Sequence, residues 1–550
     1  MVKGTIGRIR KAGAALAVAA LVTVAGCSLN EGGGDSAGGS NEGSGEQAGG
    51  ATLRIGTTTD MENFNPLQSL SKTDSWILNA TYPTLLRIDE NAQKVPELAE
   101  EYTTEDDGRT VVFHLRDDFE WTDGTPVTAN DVAFTAQAIM DYQLGNVAAK
   151  LTWVTGIEVR DDQTVAFSLS EPYAPFAEGV GFWMRIVPEH IFSQAGDLSQ
   201  FANDGDWVGA GAYVLESATK GQRYTLKANE NYPYAPEGGA AVETVEYVVY
   251  PDVNTMILAL RNGDIDLMGT PVPISAVASL EGEDAIEIET VDSLGFAHLT
   301  YNVQNPVLAD QTVRQALSMV VDTESIIETI LQGDGQQMVG PISPIFAEYD
   351  NTSLEPYPFD PAGARTLLEG AGYTDGNGDG MFDDLSFEMV CDQSNANLTR
   401  VGEVVRDSAA EAGIQIELAC IERNTFLSRT RGGEYDIDLS QWGVFDNPMD
   451  QLRSTYLSSN PGGINYNLVA DPELDALVND AAVTADPAQF VEKIKGIDAY
   501  VHDQALLTPL YVENFRFAYR GDRFTGFDPS PSDLLGMVTG YSLSQVTTVD

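Results

Sequence analysis

Apolar and polar positions alternate, or β-branched and aromatic residues cluster, over 52–57 (TLRIGT), 111–115 (VVFHL), 164–169 and 242–250, and each run predicts a strand. Helical spacing appears between them. Thr128 with Asp131 makes a capping box ahead of Val132, Ala136, Ile139 and Met140, which share one face. Asp310 precedes Val313, Ala316, Leu317 and Val320 at i, i+3, i+4 and i+7. Asp360-Pro361 opens a further helix, closed by Gly370 or Gly372. Strands and helices alternate through the second half and strands are denser in the first, so the class is α/β. No internal repeat is visible.

One unit is predicted in more detail. Leu385, Phe387, Met389 and Cys391 alternate on one strand, and Ile414, Ile416, Leu418 and Cys420 on another. Val401, Val404, Val405 and Ala412 lie between them at helical spacing, with Gly413 before the second strand. If these strands are neighbours, both sulfurs point the same way from corresponding ends, within disulfide range. The expectation is a Cys391–Cys420 disulfide; the alternative is two buried thiols.

The N-terminus carries a different pattern. Arg8, Arg10 and Lys11 precede an apolar run over 12–25, too short to span a bilayer comfortably, and Ala25-Gly26-Cys27 follows. This resembles a bacterial lipoprotein signal: 1–26 is the signal peptide and Cys27 the acylated first residue of the mature chain. An ordinary cleaved signal, with Cys27 incidental, is the alternative. Residues 27–50 are a tether, since Gly, Ser, Asn and Glu leave almost nothing to bury. No second membrane-spanning candidate is present.

Composition narrows the partners. Of 550 residues, 43% are hydrophobic and 21% charged, as in a globular protein, and roughly 500 remain after the tether, enough for two or three domains. The formal net charge of -53 repels nucleic acid and anionic headgroups, so neither is expected as a partner, and lipid on Cys27 must supply any membrane attachment. Two explanations of the charge stay open: an acidic shell suited to high salt, or a preference for cationic ligands.

Candidate chemistry is sparse. Asp375, Asn377 and Asp379, with Gly380 at the sharp turn, match the beginning of a calcium loop. Its twelfth position is Ser386 where a bidentate Glu is required, leaving Asp383 or Asp384 to substitute. A Gly-rich acidic turn is the preferred reading, and no metal is expected. Residues 34–38 (GDSAG) satisfy G-x-S-x-G but lie in the tether, with no strand before them. His114, His190, His298 and His502 are scattered, and no phosphate loop with its lysine exists, so ATP chemistry belongs to a partner. No cofactor and no catalytic residue is expected.

Residues 113–116 (FHLR) followed by 121–132 (WTDGTPVTANDV) resemble the signature of the family 5 extracellular solute-binding proteins of the oligopeptide and dipeptide type. Residues 95–99 (VPELA), 209–213 (GAGAY), 263–266 (GDID), 301–302 (YN), 313–317 (VRQAL) and 371–373 (AGY) are similar to further landmarks in the family's order. The resemblance implies a two-lobed, periplasmic-binding-protein-like clamshell. Lobe I would comprise 51–80, 190–295 and 509–550, with an extra subdomain at 81–189 inserted in it, and lobe II would comprise 296–508. It implies a monomer that captures a solute, expected to be a peptide, and delivers it to the permease and ATPase subunits of an ABC importer. An oligosaccharide, a nickel complex or another solute is the alternative, and a secreted hydrolase using two carboxylates a further one.

Most signature residues are expected to be architectural: Trp121, Asp123 and Thr128 make a turn and a cap. For the ligand, the resemblance points to residues 441–448 (QWGVFDNP), where peptide-binding relatives place a tryptophan, an aspartate that pairs with the peptide α-ammonium, and a proline. Trp442 and Pro448 fit, but the intervening stretch is a residue shorter and Val444 or Phe445 stands at the aspartate's place. Either Asp446 is the substitute or the ammonium salt bridge is absent, and Trp442 and Phe445 are expected to be apolar walls. Trp183, Phe64, Asn65 and Tyr301 are further candidates from the general location of the cleft.

Overall fold

The computed structural model describes residues 50–68, 71–443, 445–459 and 464–549. The signal peptide, Cys27, nearly all of the tether and Val444 lie outside the described residues. Two large sheets organise the rest. The first has seven strands, in the order Glu287–Val291, Phe515–Tyr519, Leu267–Met268, Ala51–Thr57, Val242–Val249, Arg223–Ala228, Tyr213–Thr219. Ala51–Thr57 sits inside it, parallel to both neighbours, and buries Leu53 and Ile55 completely.

The second sheet has six strands, in the order Gly335–Gln337, Leu507–Glu513, Ala297–Tyr301, Ile437–Gln441, Ser386–Asp392, Gln415–Ile421. Ser386–Asp392 and Gln415–Ile421 run parallel, which a hairpin cannot achieve, and the helix Ala396–Glu411 supplies the crossover. Gly413 follows it at φ 84°, a left-handed conformation that glycine adopts without a Cβ clash. Cys391 and Cys420 are register partners on these strands and form a disulfide, with Cα atoms 4.4 Å apart.

The chain passes between the sheets twice, from Val291 to Ala297 and from Glu513 to Phe515. These passages lie side by side: Val291 pairs with Phe515 in one sheet, and Ala297 with Tyr511 in the other. Two adjacent crossovers between two sheets have the geometry of a hinge.

A smaller antiparallel sheet orders Ala99–Glu105, Thr110–Leu115, Thr164–Leu169 and Val154–Asp161. The tryptophan signature follows its second strand. Trp121 is fully buried, and its Nε1 donates to Asp131 Oδ2 at 3.4 Å. Asp131 also accepts from the Thr128 backbone N–H at 2.9 Å, completing a capping box for the helix Ala129–Tyr142, and from that of Glu189 at 2.8 Å. The signature thus joins a turn, a helix start and a distant segment. The helix opened by Asp360 runs over Pro361–Ala371 and stops at Gly372, whose φ of 99° ends it; Gly370 is helical.

Candidate functional site

The walls of the main crevice come from both sheets' surroundings. A cavity of about 1050 Å³ is lined on one side by Thr58, Lys72, 271–275, Phe515 and Asp533, and on the other by 394–398, 440–443, Arg423 and Glu513 among others. It lies at the crossovers, because Glu513 and Phe515 both border it. A cavity of this size holds a ligand of several hundred daltons.

Trp442 stands where the strand Ile437–Gln441 runs out. Its backbone N–H donates to the Phe296 carbonyl at 3.0 Å. Its ring packs edge-on against Phe296, with centroids 5.1 Å apart, and 4.0 Å from the His298 ring, leaving 8% of the residue exposed. Burial pushes the His298 imidazole down to about 3, so this packing partner is neutral.

Asn395 caps the helix Ala396–Glu411 by accepting from the backbone N–H groups of Asn397 and Leu398, both at 3.1 Å. Its amide then donates to Gln441 Oε1 at 3.4 Å, fixing both side chains at the crevice wall. Lys72 and Asp533 form an ion pair on the first-sheet side. On the other, Arg423 Nη1 meets Asp392 Oδ2 at 2.8 Å. Burial opposes ionisation of Asp392, yet hydrogen bonds from Ser394 and Arg423 hold its carboxyl below the ordinary range. Glu513 goes the other way. Burial and the nearby Asp334 and Asp533 carboxylates push it up, against hydrogen bonds from Gln441 and Asn397.

Of the residues singled out in the sequence, Trp442 borders this cavity. Phe445 stacks behind it, 5.3 Å away edge to face. Asp446 is absent from the lining: it is buried, with Oδ1 3.8 Å from Lys150 Nζ, and its carbonyl accepts from Lys94 Nζ at 2.8 Å. Its charge therefore answers protein lysines. Trp183 packs on Phe182, and Phe64 against Trp207 and Tyr224. Asn65 is an internal brace, donating to the Leu198 carbonyl at 2.9 Å and accepting from the Leu67 N–H at 3.0 Å. Tyr301 is wholly buried in the second sheet and shares a hydrogen bond with Thr508. These last four are held by packing away from the crevice, so general position in the chain did not find the lining. Asn395, Asn397, Lys72, Asp533 and Glu513 carried no motif that could have.

The acidic loop turns inward on its own backbone. Asp375 accepts from the N–H groups of Gly378, Asp379 and Gly380, and Asp383 from that of Gly376. Among the described residues, no group of three or more His, Cys, Asp or Glu is gathered for a metal.

A mixed α/β molecule with two sheets, paired crossovers and a large crevice between them defines a two-lobed solute-binding clamshell. The chain belongs to the bacterial extracellular solute-binding proteins, family 5: the model of that family's middle region matches residues 93–463. It is 27% identical over 478 residues to the oligopeptide-binding protein AppA of Bacillus subtilis, covering 85% of this chain and 87% of that one. It is also 27% identical over 460 residues to heme-binding protein A of Haemophilus influenzae, covering 79% and 82%. Among solved structures, the ABC transporter substrate-binding protein CtaP of Listeria monocytogenes superposes with a TM-score of 0.81 at 25% identity, covering 91% of this chain and all of that one.

Proposed function

We propose that the protein captures a peptide outside the cytoplasm and hands it to the permease and ATPase subunits of an ABC importer, acting as a monomer held to the membrane by lipid on Cys27. The observation that carries this reading is the crevice itself. Amide side chains at Asn395, Asn397 and Gln441 offer donors and acceptors suited to a peptide backbone, while Trp442, Phe426 and Phe515 offer apolar faces for its side chains. Crevice residues come from both lobes, so a ligand that touches both favours the shut form. In this reading 51–80, 190–295 and 515–550 make the first lobe, 81–189 its inserted subdomain and 296–513 the second lobe; the last boundary is drawn at the crossover rather than at 508/509, since all of Leu507–Glu513 belongs to the six-stranded sheet. The similarity to an oligopeptide-binding protein supports the choice of solute.

Equal identity to a heme-binding protein favours one second reading, a non-peptide solute delivered in the same way. Purified protein titrated with tri- to pentapeptides, oligosaccharides, heme and nickel–histidine separates the two. Peptides are expected to raise the melting temperature without being consumed, because a ligand present at 100 times its Kd adds about 2.7 kcal/mol of stability. A shift with heme or sugar and none with any peptide would replace the peptide reading; turnover would replace both with a hydrolase. Cys27→Ser is expected to move the protein from the membrane fraction to the soluble one, and firm retention would remove the anchor.

A further inference from the structure

The charges that face the crevice are not all matched. Lys72 answers Asp533, and Arg423 answers Asp392. Glu513 has no such answer: among the described residues, no Lys, Arg or His lies within ion-pair distance of it. The groups that donate to it are neutral amides, Asn397 Nδ2 at 3.4 Å and the Gln441 side chain. A half-buried carboxylate held only by amides is costly to keep charged, and a cation brought to it recovers that cost. Its charged neighbours make the position more favourable for a cation. Asp334 is close but is neutralised by Arg516 at 2.6 Å, and Asp533 approaches from the opposite lobe with Lys72 as its partner.

We propose that Glu513 is the crevice residue that selects a solute bearing an ammonium group, which docks against its carboxylate between the two lobes. The inference rests on the peptide reading above and assigns the group that reading leaves without a partner, since Asp446 is engaged by Lys150. An ammonium has three N–H donors and no acceptor, so it suits a carboxylate whose existing donors are amides. Seated there, it lies in the field of Glu513 from one lobe and Asp533 from the other. It lowers the repulsion between them and so favours closure. The ammonium can come from a peptide N-terminus or from a lysine side chain, and the two are separable.

The test is calorimetric titration of the wild-type protein and of Glu513→Gln with three probes: pentaalanine, N-acetyl-pentaalanine and an N-acetyl-tetraalanine extended by lysine. Wild type is expected to bind an ammonium-bearing probe at least about 10-fold more tightly than N-acetyl-pentaalanine, as for a charge-assisted hydrogen bond. Preference for pentaalanine assigns the N-terminus, and preference for the lysine probe the side chain. Glu513→Gln keeps the shape and the amide contacts, and is expected to compress all three affinities to within about threefold. Glu513→Gln binding the favoured probe as tightly as wild type overturns the assignment while leaving the peptide reading intact. Wild type binding none of the three overturns both. Should Glu513→Gln fold poorly, Glu513→Asp, which keeps the charge but withdraws it by one methylene, decides: a preference for the favoured probe that falls toward the affinity for N-acetyl-pentaalanine supports Glu513, and an unchanged preference overturns it.

Discussion

Glu513 and Phe515 are separated by a single residue, Asn514, and belong to different sheets: Glu513 pairs with Gly335 in the six-stranded sheet, Phe515 with Val291 in the seven-stranded one. The second crossover, from Val291 to Ala297, lies against this one and contains Gly295. A Cβ on Gly295 would stand 2.0 Å from the Trp442 carbonyl oxygen and 2.2 Å from that of Gly443, so the crossover packs directly onto the backbone that carries Trp442. Gly295→Ala is expected to destabilise by about 1–3 kcal/mol, the usual cost of overpacking, and to weaken ligand binding by displacing the crevice wall. An unchanged melting temperature together with unchanged affinity would show that the crossover is not tightly seated there.

Trp442 contributes to both stability and the crevice, so its truncation mixes two effects. Phe296, His298 and Phe445 surround the ring, and Trp442→Ala leaves a cavity among them, at about 3–5 kcal/mol. Trp442→Phe keeps an aromatic body in the same cluster and is expected to cost less than half as much stability. Affinity measured on the folded fraction of each variant separates the effects. Binding should fall for the alanine variant even where folding is complete, and equal affinity in all three proteins would remove Trp442 from the site.

The contrast between these residues explains what the sequence reveals. The capping box of Thr128 and Asp131, the burial of Trp121 and the strand, helix, strand unit around Cys391 and Cys420 are local patterns, and local patterns survive in one dimension. The crevice lining does not. Lys72, Asn395 and Glu513 are ordinary polar residues until the crossovers bring them to one cavity. Tyr301 shows the opposite difficulty: all five residues of Ala297–Tyr301 are buried, so no alternation tells which face is functional. Asp446, adjacent to an aromatic wall, could be assigned only once Lys94 and Lys150 appeared beside it from more than 290 positions away.

The Cys391–Cys420 bridge closes a loop with a sequence separation of 29 between parallel neighbours. By the chain-entropy account, losing it should cost about 3.6 kcal/mol. Cys391 is completely buried, so alanine is the appropriate replacement; serine would add an unpaired hydroxyl. The double variant Cys391→Ala/Cys420→Ala is expected to melt lower than wild type, and reductant should lower the wild type alone. Reductant lowering both equally would locate its effect elsewhere. Asp392 and Arg423, which border the crevice, adjoin this bridge in the chain, so a loss of ligand affinity should accompany the loss of stability.

Asp438 supplies a pH dependence with a definite sign. It lies wholly buried on Ile437–Gln441. Oδ2 accepts from Ser440 Oγ at 2.8 Å and Oδ1 has no partner among the described residues, so burial pushes its carboxyl up to about 7. Below its unfolded value of 3.8, both states hold the proton and the group contributes nothing to the pH dependence. As pH rises toward 7 the unfolded chain ionises while the folded one keeps its proton, so stability falls; above 7 the loss is constant, on the order of 4 kcal/mol at most. Asp498 and Glu97, also pushed up to about 7 by burial, act in the same direction. His298 acts oppositely, its neutral folded form losing stability as pH falls from 6.5 toward 3. The pH dependence of the wild type therefore sums these groups with other shifted carboxyls, Asp392 and Glu513 among them, and a variant isolates one. Asp438→Asn keeps an acceptor for Ser440 and cannot ionise. Its melting temperature should exceed that of wild type at pH 8, with the difference shrinking steadily to nothing by about pH 4. A difference between the two proteins that stays constant from pH 4 to 8 would mean that Asp438 does not titrate in this window.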